Sequence, residues 1–161
     1  FNRNGWPIMK ILFATDGGKQ SDAAIEAIKN FSWSSGDEVM VISVVDMALP
    51  MAIDIYGGFL PDTSEIERTA RENATKVAAD AAEKIKSFAG PDLVSIKTDI
   101  LFGSPDSRIV ETAEDWGATL IVVGSHGYSR WERLLLGSVS DSVVHHAPCS
   151  VLVVRTPTAD V

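Results

Sequence analysis

Residues 124–140 read GSHGYSRWERLLLGSVS and hold two glycine turns: the spacing is GxxG, then nine residues, then Gly137 followed by Ser138 and, two positions on, Ser140. Glycines let backbone amides approach a polyanion closely, and a helix N-terminus offers unpaired N–H donors and the positive end of its dipole. Because an apolar run precedes the stretch, it predicts a strand, a glycine loop and a helix that cradle a phosphate. A turn with a glycine N-cap is the alternative, and the two serines favour the phosphate site.

Apolar runs and helical periods alternate on both sides of this stretch. Short apolar runs predict strands buried on both faces, and apolar residues three and four apart predict helices. The predicted elements are a strand at 9–15, a helix capped by Ser21 and reaching Phe31, a strand at 39–45, a helix from 64 to about 88, a strand at 94–101, a helix from about 106 to 116, a strand at 119–123, a helix from about 139 to 146 and a strand at 150–155. This alternation predicts a single-domain α/β fold, a five-stranded parallel sheet with helices on both faces.

Two polar or glycine positions follow predicted strands directly. Asp16 comes after the first strand and Gly124 after the fourth. Ligands of such sheets bind beyond the carboxyl ends of the strands, where the strand order reverses. We therefore expect both positions to face one crevice. The alternative for Asp16 is a turn or a helix cap.

The chain has 161 residues, which fits one domain. Residues 1–8 carry no periodic pattern, so we expect an N-terminal extension or expression-derived residues there, a domain at 9–155 and a C-terminal tail at 156–161. The segment 47–62 contains prolines and glycines and predicts a long loop. Its sequence is compatible with a lid over a ligand and with a docking surface.

The net charge of the chain is −8 and its pI is about 4.8. This acidity argues against a sequence-independent contact with nucleic acid or an anionic membrane, and no apolar run approaches the roughly 18 residues of a spanning helix. The single cysteine, Cys149, excludes an internal disulfide, and no signal-peptide pattern is present. We expect a cytoplasmic protein.

Several known catalytic and metal-binding motifs are absent from the chain or have the wrong residues or spacing. The chain has no GxxxxGK(S/T) and no GxGxxG after a strand, and residues 16–22, DGGKQSD, depart from the SGGxDS loop of ATP pyrophosphatases. His145 and His146 are adjacent on a predicted helix, so their rings diverge, and with Cys149 they still lack a fourth ligand. We expect no metal site of the protein's own and no dedicated catalytic residues.

The quoted stretch, preceded by KILFATDGG at 10–18 and TLIVVG at 119–124 and followed by VVHHAPCSVLVV at 143–154, resembles the universal stress protein family. The resemblance covers 9–155 and is to the nucleotide-binding members, whose pattern GxxG, nine residues, G(S/T) is intact. It implies the Rossmann-like fold of the adenine nucleotide alpha hydrolases. It also implies ATP or AMP on the glycine loop, with Mg²⁺ held mainly through the phosphates.

The resemblance assigns roles to individual residues. The backbones of Gly127, Ser138 and Val139 would hold the phosphates, with hydroxyls from Ser138 and Ser140. Asp16 would accept from the ribose or lie beside the adenine edge. His126 and Arg130 would meet phosphate charge, with solvated loop side chains as the alternative. The predicted nucleotide-binding residues are, for the adenine slot and ribose, Ala14, Thr15, Asp16 and Val44, and for the loop and phosphates, Gly124, His126, Gly127, Arg130, Gly137, Ser138, Val139 and Ser140.

The leading functional hypothesis is an ATP-binding stress-response protein in which nucleotide occupancy orders the 124–137 loop, with at most weak ATP hydrolysis. The alternatives are a dimeric interaction module without nucleotide and, less favoured, an adenylating or hydrolytic enzyme. The last strand carries the apolar run Val151, Leu152, Val153 and Val154, which at a sheet edge would pair two copies into a homodimer. An edge covered by the N-terminal segment is the alternative.

Overall fold

The computed structural model describes residue 5 and residues 7–46, 64–90, 92–125 and 136–156. Strands and helices alternate along the chain as the sequence predicts. The elements are β1 (Lys10–Ala14), α1 (Lys19–Ile28), β2 (Glu38–Val45), α2 (Ser64–Ala89), β3 (Ser95–Phe102), α3 (Pro105–Trp116), β4 (Leu120–Gly124), α4 (Ser138–His146) and β5 (Ser150–Val154). The segment 47–62 and the predicted site residues His126, Gly127 and Arg130 lie outside the described residues.

The five strands form one sheet in the order β3-β2-β1-β4-β5, and every neighbouring pair is parallel. Chain order runs outward from β1 to β3 on one side and from β4 to β5 on the other. The order therefore reverses between β1 and β4, where Ala14 aligns with Val123. The predicted α/β fold with a five-stranded parallel sheet is confirmed.

Two apolar cores lie on opposite faces of the sheet because successive side chains of a strand point to opposite sides. In β1, Ile11 and Phe13 pack against α1 and α2, whereas Leu12 packs against α3 and α4. All three side chains are fully buried. Helices thus cover both faces, as the apolar strands require.

The beginning of α1 differs from the sequence prediction. The helix begins at Lys19 with Gly18 as its N-cap, and it ends at Ile28 rather than at Phe31. Ser21 is therefore not the N-cap; it lies in the first turn and is only 4% exposed. The cause is a tight turn, in which the amide of Gly18 donates to Asp16 Oδ1 at 2.9 Å. This turn makes the helix begin earlier in the chain than predicted.

Candidate functional site

A cavity of about 230 Å³ opens beyond the carboxyl ends of β1, β2 and β4, against the first turns of α3 and α4. It lies at the point where the strand order reverses, which is the usual ligand site of such sheets. Its lining residues are Ala14, Thr15, Asp16, Gln20, Ser21, Ile42, Val44, Pro105, Ile109, Val123, Gly124, Val139 and Ser140.

Most of the predicted site residues that the structure describes meet in this cavity. Those that line it are Ala14, Thr15, Asp16, Val44, Gly124, Val139 and Ser140. Gly137 and Ser138 directly precede this set at the beginning of α4 but do not line the cavity. Asp16 and Gly124 share one crevice, as their places at strand ends predict.

The inner wall of the cavity is apolar. Ile42, Ile109 and Val123 are at most 3% exposed and come from β2, α3 and β4. Val44 and Val139 are half-buried and stand nearer the opening. A wall of this kind suits a flat, weakly polar group such as a heterocyclic base.

The turn between β1 and α1 presents a carboxylate at the opening. Asp16 is exposed, and its Oδ1 accepts from the Gly18 amide and from the Ser21 hydroxyl, each at 2.9 Å. The amide of Thr15 donates to the carbonyl of Ile42 at 2.9 Å and extends the β1–β2 pairing to the edge of the cavity. These bonds hold Asp16 in one orientation beside the apolar wall.

The N-terminus of α4 forms the other side of the opening. Its N-cap, Gly137, is extended at φ −61° and ψ 152° and has no side chain to occupy the helix N-terminus. Ser138 is exposed, whereas Ser140 is only 2% exposed. The hydroxyl of Ser140 donates to the carbonyl of Gly124 at 3.1 Å, so its proton is directed at β4 rather than at a phosphate.

Gly124 is a site of close backbone approach. A Cβ placed there would lie 2.8 Å from the carbonyl carbon of Gln20 and 2.9 Å from its oxygen. Only glycine therefore lets the first turn of α1 pack against the end of β4. Both residues line the cavity, so this contact sets its width at that point.

Sequence reasoning missed several lining residues, namely Gln20, Ser21, Ile42, Pro105, Ile109 and Val123. Ile42 could have been predicted from the sequence, because it lies two positions before Val44 and thus on the same face of β2. Pro105 follows a glycine and a serine at the carboxyl end of β3. It could have been predicted as Asp16 was, from its position just after a strand. No local signal identifies Ile109, because its contact depends on how α3 packs.

A second polar cluster joins the two helices beside the cavity. Asp106, in the first turn of α3, accepts at Oδ1 from the hydroxyl of Ser104 and at Oδ2 from the hydroxyl of Ser142 on α4, the latter at 2.8 Å. These two hydroxyls, with the backbone amide of Ser107, hold the pKa of Asp106 below its ordinary value. The carboxylate is therefore charged at neutral pH.

The histidine pair and the cysteine lie away from the cavity. His145 and His146 each direct Nδ1 at the carbonyl four residues earlier in α4, both at 2.8 Å. Burial raises the pKa of the Cys149 thiol. Within the described ranges, no group of three or more His, Cys, Asp or Glu side chains is arranged to hold a metal ion. No helix of that same portion has the length and apolarity to cross a membrane.

Comparison with known proteins gives a consistent result. A model described as the universal stress protein family matches residues 7–155. Universal stress protein MJ0531 of Methanocaldococcus jannaschii is 36% identical over 159 residues, 96% of this chain and 87% of that protein. Universal stress protein MJ0577 of the same organism is 31% identical over 152 residues, 91% of this chain and 94% of that protein.

Solved structures show the same fold. The structure of MJ0577 has a TM-score of 0.76 and 27% identity, over 94% of this chain and 98% of that one. A universal stress protein in complex with cAMP has a TM-score of 0.60 and 22% identity, over 92% and 98%. One from Archaeoglobus fulgidus in complex with dAMP has a TM-score of 0.58 and 20% identity, over 91% and 97%.

Proposed function

The chain belongs to the universal stress protein family, and on that premise we propose that it binds ATP or AMP and acts as a nucleotide-dependent switch in a stress response. The observation that carries the proposal is the cavity, which gathers residues from β1, β2, β4 and α4 that the glycine pattern and strand ends indicate separately. Two proteins of the same fold have been solved with adenine nucleotides, cAMP and dAMP, which supports a nucleotide for this fold.

The adenosine half of the nucleotide fits the cavity itself. At about 230 Å³ the cavity is near the lower limit of ligand pockets, which suits a base and sugar better than a whole triphosphate. We assign the adenine to the slot between Ala14, Thr15 and Val44. The carboxylate of Asp16, fixed at the opening, would accept hydrogen bonds from the ribose hydroxyls.

The phosphates would extend toward the N-terminus of α4. This helix has nine residues and begins after a glycine, so the amides of its first turn can approach an anion. We assign phosphate contacts to the backbones of Gly137, Ser138 and Val139 and to the exposed hydroxyl of Ser138. Gly127, His126 and Arg130 remain part of the proposed loop contact. Ser140 would act by anchoring α4 to β4.

The residues present fit a nucleotide whose Mg²⁺ is held through its own phosphates. The described portion of the chain offers no cluster of metal ligands, and Mg²⁺ commonly enters such sites with its substrate. We propose at most a weak ATPase activity, because among the residues that the structure describes the cavity lining holds a single carboxylate, Asp16. An adenylating or hydrolytic enzyme is the less favoured reading.

A homodimer through β5 is part of the proposal. The strand lies at one end of the sheet order, and its apolar residues 151–154 are half-buried within a single chain. Antiparallel pairing of two such strands about a two-fold axis would cover them. We further propose a domain at 9–155, flanked by 1–8 and 156–161, and a cytoplasmic location in keeping with the single free thiol of Cys149.

Isothermal titration with ATP, AMP and cyclic AMP, with and without Mg²⁺, tests the proposal after bound nucleotide has been removed. We expect micromolar binding of at least one of them. Val44→Trp should fill the cavity and abolish binding, whereas Val144→Trp makes the same substitution at a valine that is 43% exposed on α4 and should preserve it. Absence of binding by the unmodified chain would overturn the nucleotide function and favour the dimeric interaction module.

A further inference from the structure

The carboxylate of Asp106 joins the two helices that bound the cavity on one face of the sheet. It accepts from the hydroxyl of Ser104, just before α3, and from the hydroxyl of Ser142 on α4 at 2.8 Å. Residues 106 and 142 are 36 positions apart. We call this group of three residues the Asp106 bridge.

Each end of the bridge lies next to residues that line the cavity. On α3, Pro105 directly precedes Asp106 and Ile109 follows one turn later. On α4, Val139 and Ser140 lie within the turn that precedes Ser142. A change in the distance between the two helices at this level would therefore move both sides of the opening.

The remaining contacts between α3 and α4 do not fix their relative position as sharply. Ile109, Ala113 and Val143 pack together in the core on this face of the sheet, and apolar packing has no preferred direction. A hydrogen bond to a carboxylate has a defined length and angle, and it is about twice as strong as one between neutral groups. The charge also lies at the N-terminus of α3, where the helix dipole stabilises it.

We propose that Asp106 is a positioning residue of the nucleotide site: through Ser142 it holds the N-terminal half of α4 at the distance from α3 that the bound nucleotide requires. The inference rests on the proposed function. Asp106 itself does not line the cavity, so its effect on affinity would pass through α4.

A matched pair of substitutions at Ser142 tests this role. Ser142→Ala removes the hydroxyl, whereas Ser142→Thr retains it. We expect the alanine variant to raise the Kd for AMP or ATP about tenfold, the size expected for the loss of one charge-assisted hydrogen bond, and the threonine variant to bind nearly as the unmodified chain. Asp106→Ala, which removes both acceptor oxygens, should weaken binding similarly, and the double variant should be no weaker than the worse single one.

A second readout uses the protein without nucleotide. Amide hydrogen exchange over 141–146 should become faster in Ser142→Ala and remain unchanged over α1. Asp22→Asn is the control for the loss of a charged contact elsewhere, because it removes the charge from the 2.7 Å contact with Lys84 between α1 and α2, and Asp22 does not line the cavity. It should leave both the Kd and the exchange of α4 unchanged.

The outcomes separate the two proposals. If the unmodified chain, Ser142→Ala and Asp106→Ala all bind nucleotide with the same Kd, the positioning role alone is overturned. Equal weakening by Asp22→Asn would also overturn it, since the effect would then be one of stability. An unmodified chain that binds no nucleotide would overturn the proposed function and this inference with it.

Discussion

Gly124→Ala gives the sharpest test of how the site is built. The added Cβ would lie 2.8 Å from the carbonyl carbon of Gln20. This is about 0.7 Å short of the roughly 3.5 Å at which carbon atoms pack. The obstacle is backbone, so either the first turn of α1 or the end of β4 has to move. α1 is anchored by Ala24, Ile25 and Ile28, all at most 4% exposed, and it cannot shift without disturbing that core.

We expect this overpacking to cost about 1–3 kcal/mol of the free energy of unfolding. For a chain of this size each kcal/mol lowers the melting temperature by about 2–4 °C. Because Gln20 and Gly124 both line the cavity, the same shift should weaken nucleotide binding by about tenfold. Urea unfolding and isothermal titration with AMP measure the two effects on one preparation.

Gly117→Ala is the matched control. Gly117 follows α3 at the opposite end of the sheet, with φ at 70° and no heavy atom within 4 Å of an added Cβ. Its left-handed backbone should cost alanine about 1–2 kcal/mol. This variant should thus lose comparable stability and retain nucleotide affinity. Gly124→Ala with the stability of the unmodified chain would refute the contact argument, and equal losses of affinity in both variants would refute the link to the cavity.

Three further predictions follow from the site. Ser140→Ala should lower the free energy of unfolding by about 1 kcal/mol, because it removes the hydroxyl donor from the half-buried Gly124 carbonyl, and unchanged urea curves would contradict this. Because the pKa of Asp106 is lowered in the folded state, its carboxylate stabilises the fold above the ordinary carboxyl pKa of about 3.9, and this stabilisation is lost as the pH falls below it; Asp106→Asn should therefore make stability less dependent on pH below about pH 4. If the free energy of unfolding falls with pH as steeply in Asp106→Asn as in the unmodified chain, this prediction is wrong. Gly137→Val should abolish AMP binding and lower the free energy of unfolding by only about 1 kcal/mol, since φ there is −61° and valine is a poorer N-cap than glycine; retained affinity would remove Gly137 from the site.

Local patterns were sufficient for the fold and for part of the site. Strand and helix periods are properties of a few consecutive residues, so the alternation from β1 to β5 could be read without tertiary information. The same holds for positions at the carboxyl ends of strands. Asp16 and Gly124 meet in one cavity because the carboxyl ends of parallel strands lie at one edge of the sheet.

Single-residue preferences failed where another contact competed with them. Ser21 has the sequence signature of an N-cap, yet the N-cap of α1 is Gly18, three residues earlier, because the Gly18 amide binds Asp16. The hydroxyl of Ser140 was expected at a phosphate, whereas the packing of α4 directs it at the carbonyl of Gly124. In the first case a tight turn overrode the preference of the residue, and in the second the position of β4 did.

The sequence by itself determined the class of fold, the phosphate-type spacing of Gly137 and Ser138, and the strand ends that carry Asp16 and Gly124, because each depends on residues close together in the chain. Only the tertiary structure decided that the strand order reverses between β1 and β4, that Ile109 completes the apolar wall, and that Asp106 reaches Ser142. The physical reason is that helix packing brings together residues tens of positions apart, and no local period records which of them will meet.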